Sequence, residues 1–312
     1  MLLTDIVSEQ EGAVLLFPGQ GTPYLGMGKN LYDLSQATQS VWDCASDISG
    51  FNVRQLCIRG PMSKLVETRY QQVAVTTINI ASLLLFRERF SFNEVGYSGH
   101  SAGEYSALFA ADVINLETLF KMINFRSSLM QELASCHKGI MYIVRNCSYD
   151  KLCELINEQD VGQAVNICCD NSDNQQVIGG DSFSVRKVIN QLLKLKIEAT
   201  KLAVNGAWHT ILMDEGKEKL QYFLQDIQFS IPKKPLIMNF SAQFVAEVDT
   251  IKFNLVEQLT QTVRWKETMA LWCQHGYQNY IEISEKKSLY YLAKNAFSLR
   301  DKNISHCHDY IL

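Results

Sequence analysis

The stretch Val95-Gly96-Tyr97-Ser98-Gly99-His100-Ser101-Ala102-Gly103-Glu104-Tyr105 decides how the chain folds. Val95 to Ser98 reads as a short strand, Gly99 to Gly103 as a sharp turn, and Glu104 to Ala111 has the composition of a helix. Strand, turn and helix around Gly-x-Ser-x-Gly are the context a nucleophile elbow requires. The flanking glycines are needed there because the serine sits in a strained backbone at close quarters, where Cβ atoms would meet the following helix and the neighbouring strand. Such a turn aims Ser101 at a helix N-terminus, whose free N–H groups and partial positive charge favour an oxyanion, with Ala102 N–H as one donor. The short pattern alone equally fits a glycine-rich turn whose serine merely caps a helix.

Working outward, Ala13 to Phe17 is an apolar run that reads as a buried strand. It ends in Pro18-Gly19-Gln20-Gly21, whose glycines let the backbone approach a ligand closely and make Gln20 N–H the candidate second oxyanion donor. A helix capped by Asn115 runs to about Leu133 with Leu119, Ile123, Arg126 and Met130 on one face. Arg126 interrupts that apolar stripe. Two readings fit: a packed stem with its head in water, or a guanidinium held in a pocket for a carboxylate.

From Gly139 to Val204 the order is strand, helix, strand, strand, helix, strand, the ferredoxin-like βαββαβ unit, with alternating α/β sequence on both sides. The expected fold is α/β: an α/β-hydrolase-like large domain (1–134 and 205–312) with an inserted ferredoxin-like small domain (135–204) and the substrate site in the cleft between them. After the insertion the large domain resumes with a helix from Leu212 to Leu224, a strand from Leu236 to Phe240, helices from Phe253 to Thr260 and Lys266 to His275, and a strand from Tyr277 to Ile283. Of the six histidines, His209 lies where the chain returns from the insertion, which places it at the cleft as the candidate base. A lone histidine beside Trp208 also fits a structural role. His100 adjoins Ser101, but successive residues at an elbow point in different directions, which argues against it as the base.

Composition narrows the class. With 312 residues, 47% hydrophobic and 20% charged, the chain is long enough for a substantial core, and its net charge of −4 offers nucleic acid or an anionic membrane no overall attraction. The N-terminal segment carries Asp5, Glu9 and Glu11 and lacks the order of a secretory signal, so a cytoplasmic protein is expected. Val73 to Phe86 is too short for a membrane span and reads as a buried helix. The nine cysteines form no CxxC pair, and His306-Cys307-His308 has no accompanying ligand cluster, so reduced thiols and no metal are expected.

Taken together, the motifs resemble the acyltransferases of fatty-acid and polyketide synthesis, specifically free-standing malonyl-CoA:acyl-carrier-protein transacylases, from Phe17 to about Trp265 and more weakly to Leu292. Phe17-Pro18-Gly19-Gln20-Gly21 with Gly26-Met27-Gly28 looks like the opening loop, Gly99 to Leu108 the nucleophile motif, and Arg126 with Met130-Gln131-Glu132 the carboxylate-binding helix. The resemblance implies that Ser101 attacks a thioester, His209 takes its proton, Gln20 and Ala102 form the oxyanion hole, and Arg126 grips the malonyl carboxylate. It implies no acidic third member, the Gln258 backbone carbonyl orienting His209 instead. His100 and Trp208 would line the pocket. Coenzyme A thioester is then a substrate, no cofactor is needed, and the partner of a monomeric enzyme is a phosphopantetheinylated acyl carrier protein. The basic residues Arg186, Lys187, Lys194, Lys196 and Lys201 are candidates for carrier docking, though a solvated helix face explains them as well.

Several positions depart from the family pattern. Thr22-Pro23 stands where Ser-Gln is usual, Trp208-His209-Thr210 replaces Phe-His-Ser, Val73 replaces a proline, and Ser284-Glu285-Lys286 replaces a Gly-Pro-Gly turn. Trp208 is read as favouring malonyl over α-branched units, though a ring that simply packs fits as well, and the departures together favour a discrete polyketide enzyme. Two rivals share the fold: an acyl hydrolase clearing stalled carriers, and a non-catalytic scaffold that binds carrier proteins.

Overall fold

Ala13–Phe17, apolar and buried at all five positions, is the central strand β1 of a parallel sheet. A continuous apolar run suits a strand covered on both faces. The computed structural model describes residues 12–294, 296 and 299–311. The remaining strands are β2 (Glu94–Gly99), β3 (Gly139–Arg145), β4 (Val165–Ser172), β5 (Gln175–Asp181), β6 (Glu198–Lys201), β7 (Leu236–Ile237), β8 (Asn279–Glu282) and β9 (Asn303–His306). The parallel sheet has the order β7-β2-β1-β8-β9. Thr68–Arg89, which contains the apolar stretch read as a buried helix, packs with Gln36–Ser49 and Leu116–Cys136. Among the described residues no helix is long and apolar enough to cross a membrane.

The second sheet is antiparallel with the order β4-β5-β3-β6, the ferredoxin-like arrangement. Helices Tyr149–Asn157 and Ser182–Lys194 close a separate core around Val144, Leu152, Val185 and Leu192. Its edge strand β4 is tied to the larger part by Asp170 N–H to Val263 O (3.0 Å), Val263 N–H to Cys168 O (2.9 Å) and the Thr262 hydroxyl to Ile167 O (2.7 Å).

Several element bounds differ from the sequence reading: β6 stops at Lys201 rather than Val204, and the helix expected from Leu212 to Leu224 is Glu215–Gln225, preceded by the short turn Ile211–Met213. β7 pairs only through Leu236–Ile237 rather than to Phe240, leaving Asn239 outside the ladder. The helix expected over 253–260 is Val248–Glu257, because burial of Ile251 and Leu255 outweighs the weak helix propensity of Val248 and Thr250. The stretch ending in His306 is strand β9, and the neighbouring Cys307 thiol donates to Ser284 O at 3.1 Å.

Registers Phe17↔Gly99 and Ser98↔Ile237 bring the carboxyl ends of β1, β2 and β7 level, so their following loops gather at one edge of the sheet. Two glycines permit this. A Cβ on Gly99 would lie 2.0 Å from Gly103 O, and one on Gly103 would lie 2.0 Å from Phe17 O. Both obstacles are backbone and cannot rotate away. Overpacking a core costs about 1–3 kcal/mol where side chains yield, so Gly103→Ala is expected to lose at least about 3 kcal/mol in urea denaturation; a loss below about 1 kcal/mol would contradict the close approach.

Candidate active site

Ser101 has φ 51°, in the left-handed region that a serine seldom adopts. Neighbours over-determine it: its N–H donates to Asn239 Oδ1 at 2.6 Å, His100 N–H to Phe17 O at 2.8 Å, and Gly103 N–H to His100 O at 2.9 Å. Asn239 is held in turn, its Nδ2 donating to Gly99 O (2.6 Å) and its N–H to Glu104 Oε1 (2.6 Å).

Ser101 Oγ lies 2.8 Å from His209 Nε2, and His209 Nδ1 lies 2.6 Å from Gln258 O. A carbonyl only accepts, so Nδ1 carries the proton and Nε2 is left to accept from the serine hydroxyl. The Gln258 carbonyl is available because the helix ends at Glu257, and the last carbonyls of a helix have no partner within it. His209 is buried, and burial followed by the nearby Arg126 cation pushes it down to about 3.

Arg126 is wholly buried, so its head does not reach water and the packed-stem reading falls. Its guanidinium donates to Gln72 Oε1 (2.5 Å) and Gln258 Oε1 (2.8 Å), and Nη2 lies 3.5 Å from Ser101 Oγ. The Tyr105 ring lies 5.5 Å away. Among the described residues Arg126 Nε has no acceptor. The hydrogen-bonded partners are neutral. Buried Glu104 acts on the cation through space and is linked to it through Gln258, whose Nε2 donates to Glu104 Oε2 at 2.6 Å. Burial drives the Glu104 pKa up, opposed by Asn239 N–H, Arg126 and Gln258.

The opening loop packs against the elbow: a Cβ on Gly19 would sit 2.4 Å from His100 O and 3.3 Å from the Ser101 Cβ. The Gln20 side chain is fixed between Gln71 Oε1 (2.7 Å) and the Thr68 hydroxyl (2.6 Å). Among the described residues, the N–H groups of Gln20 and Ala102 donate to no backbone carbonyl in the turns and loops. His100 Nε2 lies 2.8 Å from Asn171 Oδ1 on β4. The buried Trp208 ring packs over Gly206, where an added Cβ would come within 2.5 Å of it.

Asn239, Glu104 and Gln72 had no assigned part in the sequence reading. Glu104 was visible in the elbow motif, but no local pattern reveals that Asn239 and Gln72 return to it.

A neutral imidazole facing a serine beside a buried cation is an arrangement that can carry acyl transfer. The family model described as acyl transferase domain matches residues 14–307. The chain belongs to that family. The match reaches beyond Leu292, further than the motifs indicated. This acyltransferase is 30% identical over 282 residues to a malonyl CoA-acyl carrier protein transacylase of Bacillus subtilis, covering 89% of this chain and 70% of the relative. It is 30% identical to the polyketide biosynthesis malonyl CoA-acyl carrier protein transacylase PksC of Bacillus subtilis strain 168, covering 86% and 91%. A malonyl-transacylase solved in complex with its type II polyketide acyl-carrier protein superposes with a TM-score of 0.88 at 29% identity, covering 95% and 94%.

The depressed pKa of His209 has two consequences. Between about pH 6.5 and about 3 the unfolded chain binds a proton that folded His209 does not, so this residue's contribution to stability is lost as pH falls through that window. In the folded acyltransferase the base stays neutral well below neutrality. Acylation of Ser101 by p-nitrophenyl acetate is therefore expected to show no inflection near pH 6.5 between pH 8 and pH 5; an acid limb there would contradict a buried neutral His209.

Proposed function

We propose that this acyltransferase moves a malonyl group from coenzyme A to the phosphopantetheine thiol of an acyl carrier protein through an ester on Ser101, as a discrete enzyme of polyketide synthesis. The observation that carries the reading is Arg126, a buried cation beside Ser101 whose direct partners are neutral amides. A malonyl carboxylate supplies the missing charge, and a planar guanidinium holds it by charge-assisted hydrogen bonds. The relatives named for this reaction, one of them a polyketide enzyme, support the substrate and the partner.

The geometry accounts for each half-reaction. Ser101 Oγ attacks the thioester carbon while its proton passes to His209 Nε2, and Gln20 N–H and Ala102 N–H face the developing oxyanion. Collapse breaks the C–S bond, and the coenzyme leaves with the proton held by His209. The carrier thiol then gives its proton to His209 and attacks the ester; Ser101 recovers a proton as its bond to the acyl carbon breaks. His209 Nδ1–H stays on Gln258 O throughout, which stabilises the imidazolium without a carboxylate. The Arg126 grip on the acyl group and exclusion of solvent from the cleft protect the ester from water.

Intact-mass measurement after exposure to malonyl-CoA is expected to show one malonyl adduct, lost in Ser101→Ala. Removing one partner of a buried charged pair costs about 2–5 kcal/mol, so Arg126→Ala should slow malonyl loading at least about thirtyfold and acetyl loading by less than about threefold. Equal losses would reject the assigned role of Arg126. Hydrolysis of an acetylated carrier without malonyl loading would identify the acyl hydrolase, and no adduct at all a scaffold.

A further inference from the structure

Glu285 and Lys286, in the turn after β8, reach across to the loop that follows Gln20. Neither side chain exists in the Gly-Pro-Gly turn that the resemblance would place there. Glu285 Oε2 accepts Gly28 N–H at 2.8 Å. Lys286 Nζ donates to Thr22 O at 3.2 Å and lies 3.9 Å from the Tyr24 ring centroid. The Tyr24 phenol is pushed up by burial and by the Glu285 carboxylate beside it. Two adjacent side chains therefore hold the start, middle and end of the Thr22–Gly28 segment.

The side that holds is firm. Buried Glu282 accepts Ser288 N–H and Leu289 N–H (both 3.0 Å) on Oε1 and Tyr290 N–H (2.8 Å) on Oε2, and the Ser284 hydroxyl donates to Lys286 O at 2.7 Å. The far end of the held segment also packs on the core, with Met27 buried, Gly26 N–H on Cys57 O at 2.8 Å and no room for a Cβ on Gly28 beside Trp42, whereas next to Gln20 a Cβ on Gly21 would meet nothing within 4 Å and the Gly21 carbonyl accepts from Gln71 Nε2. Thr22 is two residues from Gln20, whose own side chain is fixed on the opposite flank by Thr68 and Gln71. The Gln20 N–H belongs to the peptide that enters this residue from Gly19, directly before the stretch between these anchors.

We propose that Glu285 and Lys286 are positioning residues for acyl transfer, holding the Thr22–Gly28 segment so that Gln20 N–H is aimed at the oxyanion above Ser101. The inference rests on the reading of Gln20 as an oxyanion donor. It predicts an effect on the chemical step rather than on substrate capture, because that N–H is used most where charge develops.

Rapid-quench single turnovers with malonyl-CoA, read by intact mass, give the acylation rate constant and the half-saturating substrate concentration separately. Displacements on the scale of an ångström cost about a hundredfold, so a partial loosening in Glu285→Ala should lower the rate constant about tenfold with half-saturation within about twofold. Glu285→Gln keeps a carbonyl acceptor for Gly28 N–H and should recover most of the rate. Lys286→Ala, at an exposed position, should lower it about threefold, and Lys286→Arg should restore it. If wild-type protein loads no malonyl group, the functional reading fails. If it loads and both alanine variants match it, the positioning inference is overturned. It is equally overturned if the conservative variants are as slow as the alanine variants, or if half-saturation rises in step with the loss of rate. Should Glu285→Ala not fold, the Lys286 pair decides by the same criteria.

Discussion

A guanidinium without access to water is the constraint around which the centre of this protein is arranged. Burying an ionised group costs several kcal/mol unless its hydrogen bonds are met. Arg126 meets two of them with Gln72, from the helix Thr68–Arg89, and Gln258, from the end of Val248–Glu257. Neither partner lies near it in sequence. Gln72, a polar position on the largely buried helix Thr68–Arg89, follows from this need. Because the partners are amides, the charge is solvated but not neutralised.

Gln258 links the cation to the base. Its main-chain carbonyl fixes the His209 tautomer, its side-chain oxygen faces Arg126, and its side-chain nitrogen donates to Glu104 and, at 3.2 Å, to Ser101 O. A carboxylate orienting His209 from this place would also sit within reach of Arg126. It would neutralise the cation and compete with a carboxylate-bearing substrate. A carbonyl orients the imidazole without that competition, which gives a physical reason for a serine–histidine pair with no acidic third member.

Much of this was legible in the sequence, for reasons that differ by residue. The elbow and the opening loop are local patterns with steric causes, and the spacing of Gly99 and Gly103 reports the close approach directly. The βαββαβ order was readable because each element carries its own apolar period. Arg126 was legible as an anomaly in an apolar stripe, but the stripe alone left its head free to reach water; only burial decided. Asn239 was hidden because its role depends on β7 ending at Ile237, a boundary set by pairing with β2 rather than by composition. The helix ending at Glu257 was misplaced for the same kind of reason, and that ending frees the Gln258 carbonyl. Trp208 illustrates the opposite case, a residue singled out by type whose ring is engaged in packing over Gly206.

The strain in the site has a geometric purpose. Ser101 and His209 both have left-handed backbones, with φ 51° and 60°, and such conformations cost of order 1–3 kcal/mol each. The elbow holds the first through Asn239 and the two glycine contacts. The second is held by the Thr210 hydroxyl on Ala207 O (2.7 Å), by Leu212 N–H on that hydroxyl (3.3 Å), and by the bond to Gln258. In each case the turn throws the side chain out of the run of its own segment and towards the other. Relaxing either backbone would swing Oγ away from Nε2, which now lie 2.8 Å apart. The two strained turns therefore act as one device: surrounding hydrogen bonds and packing sustain an unfavourable backbone in two places so that residues 108 apart in sequence meet at hydrogen-bond distance.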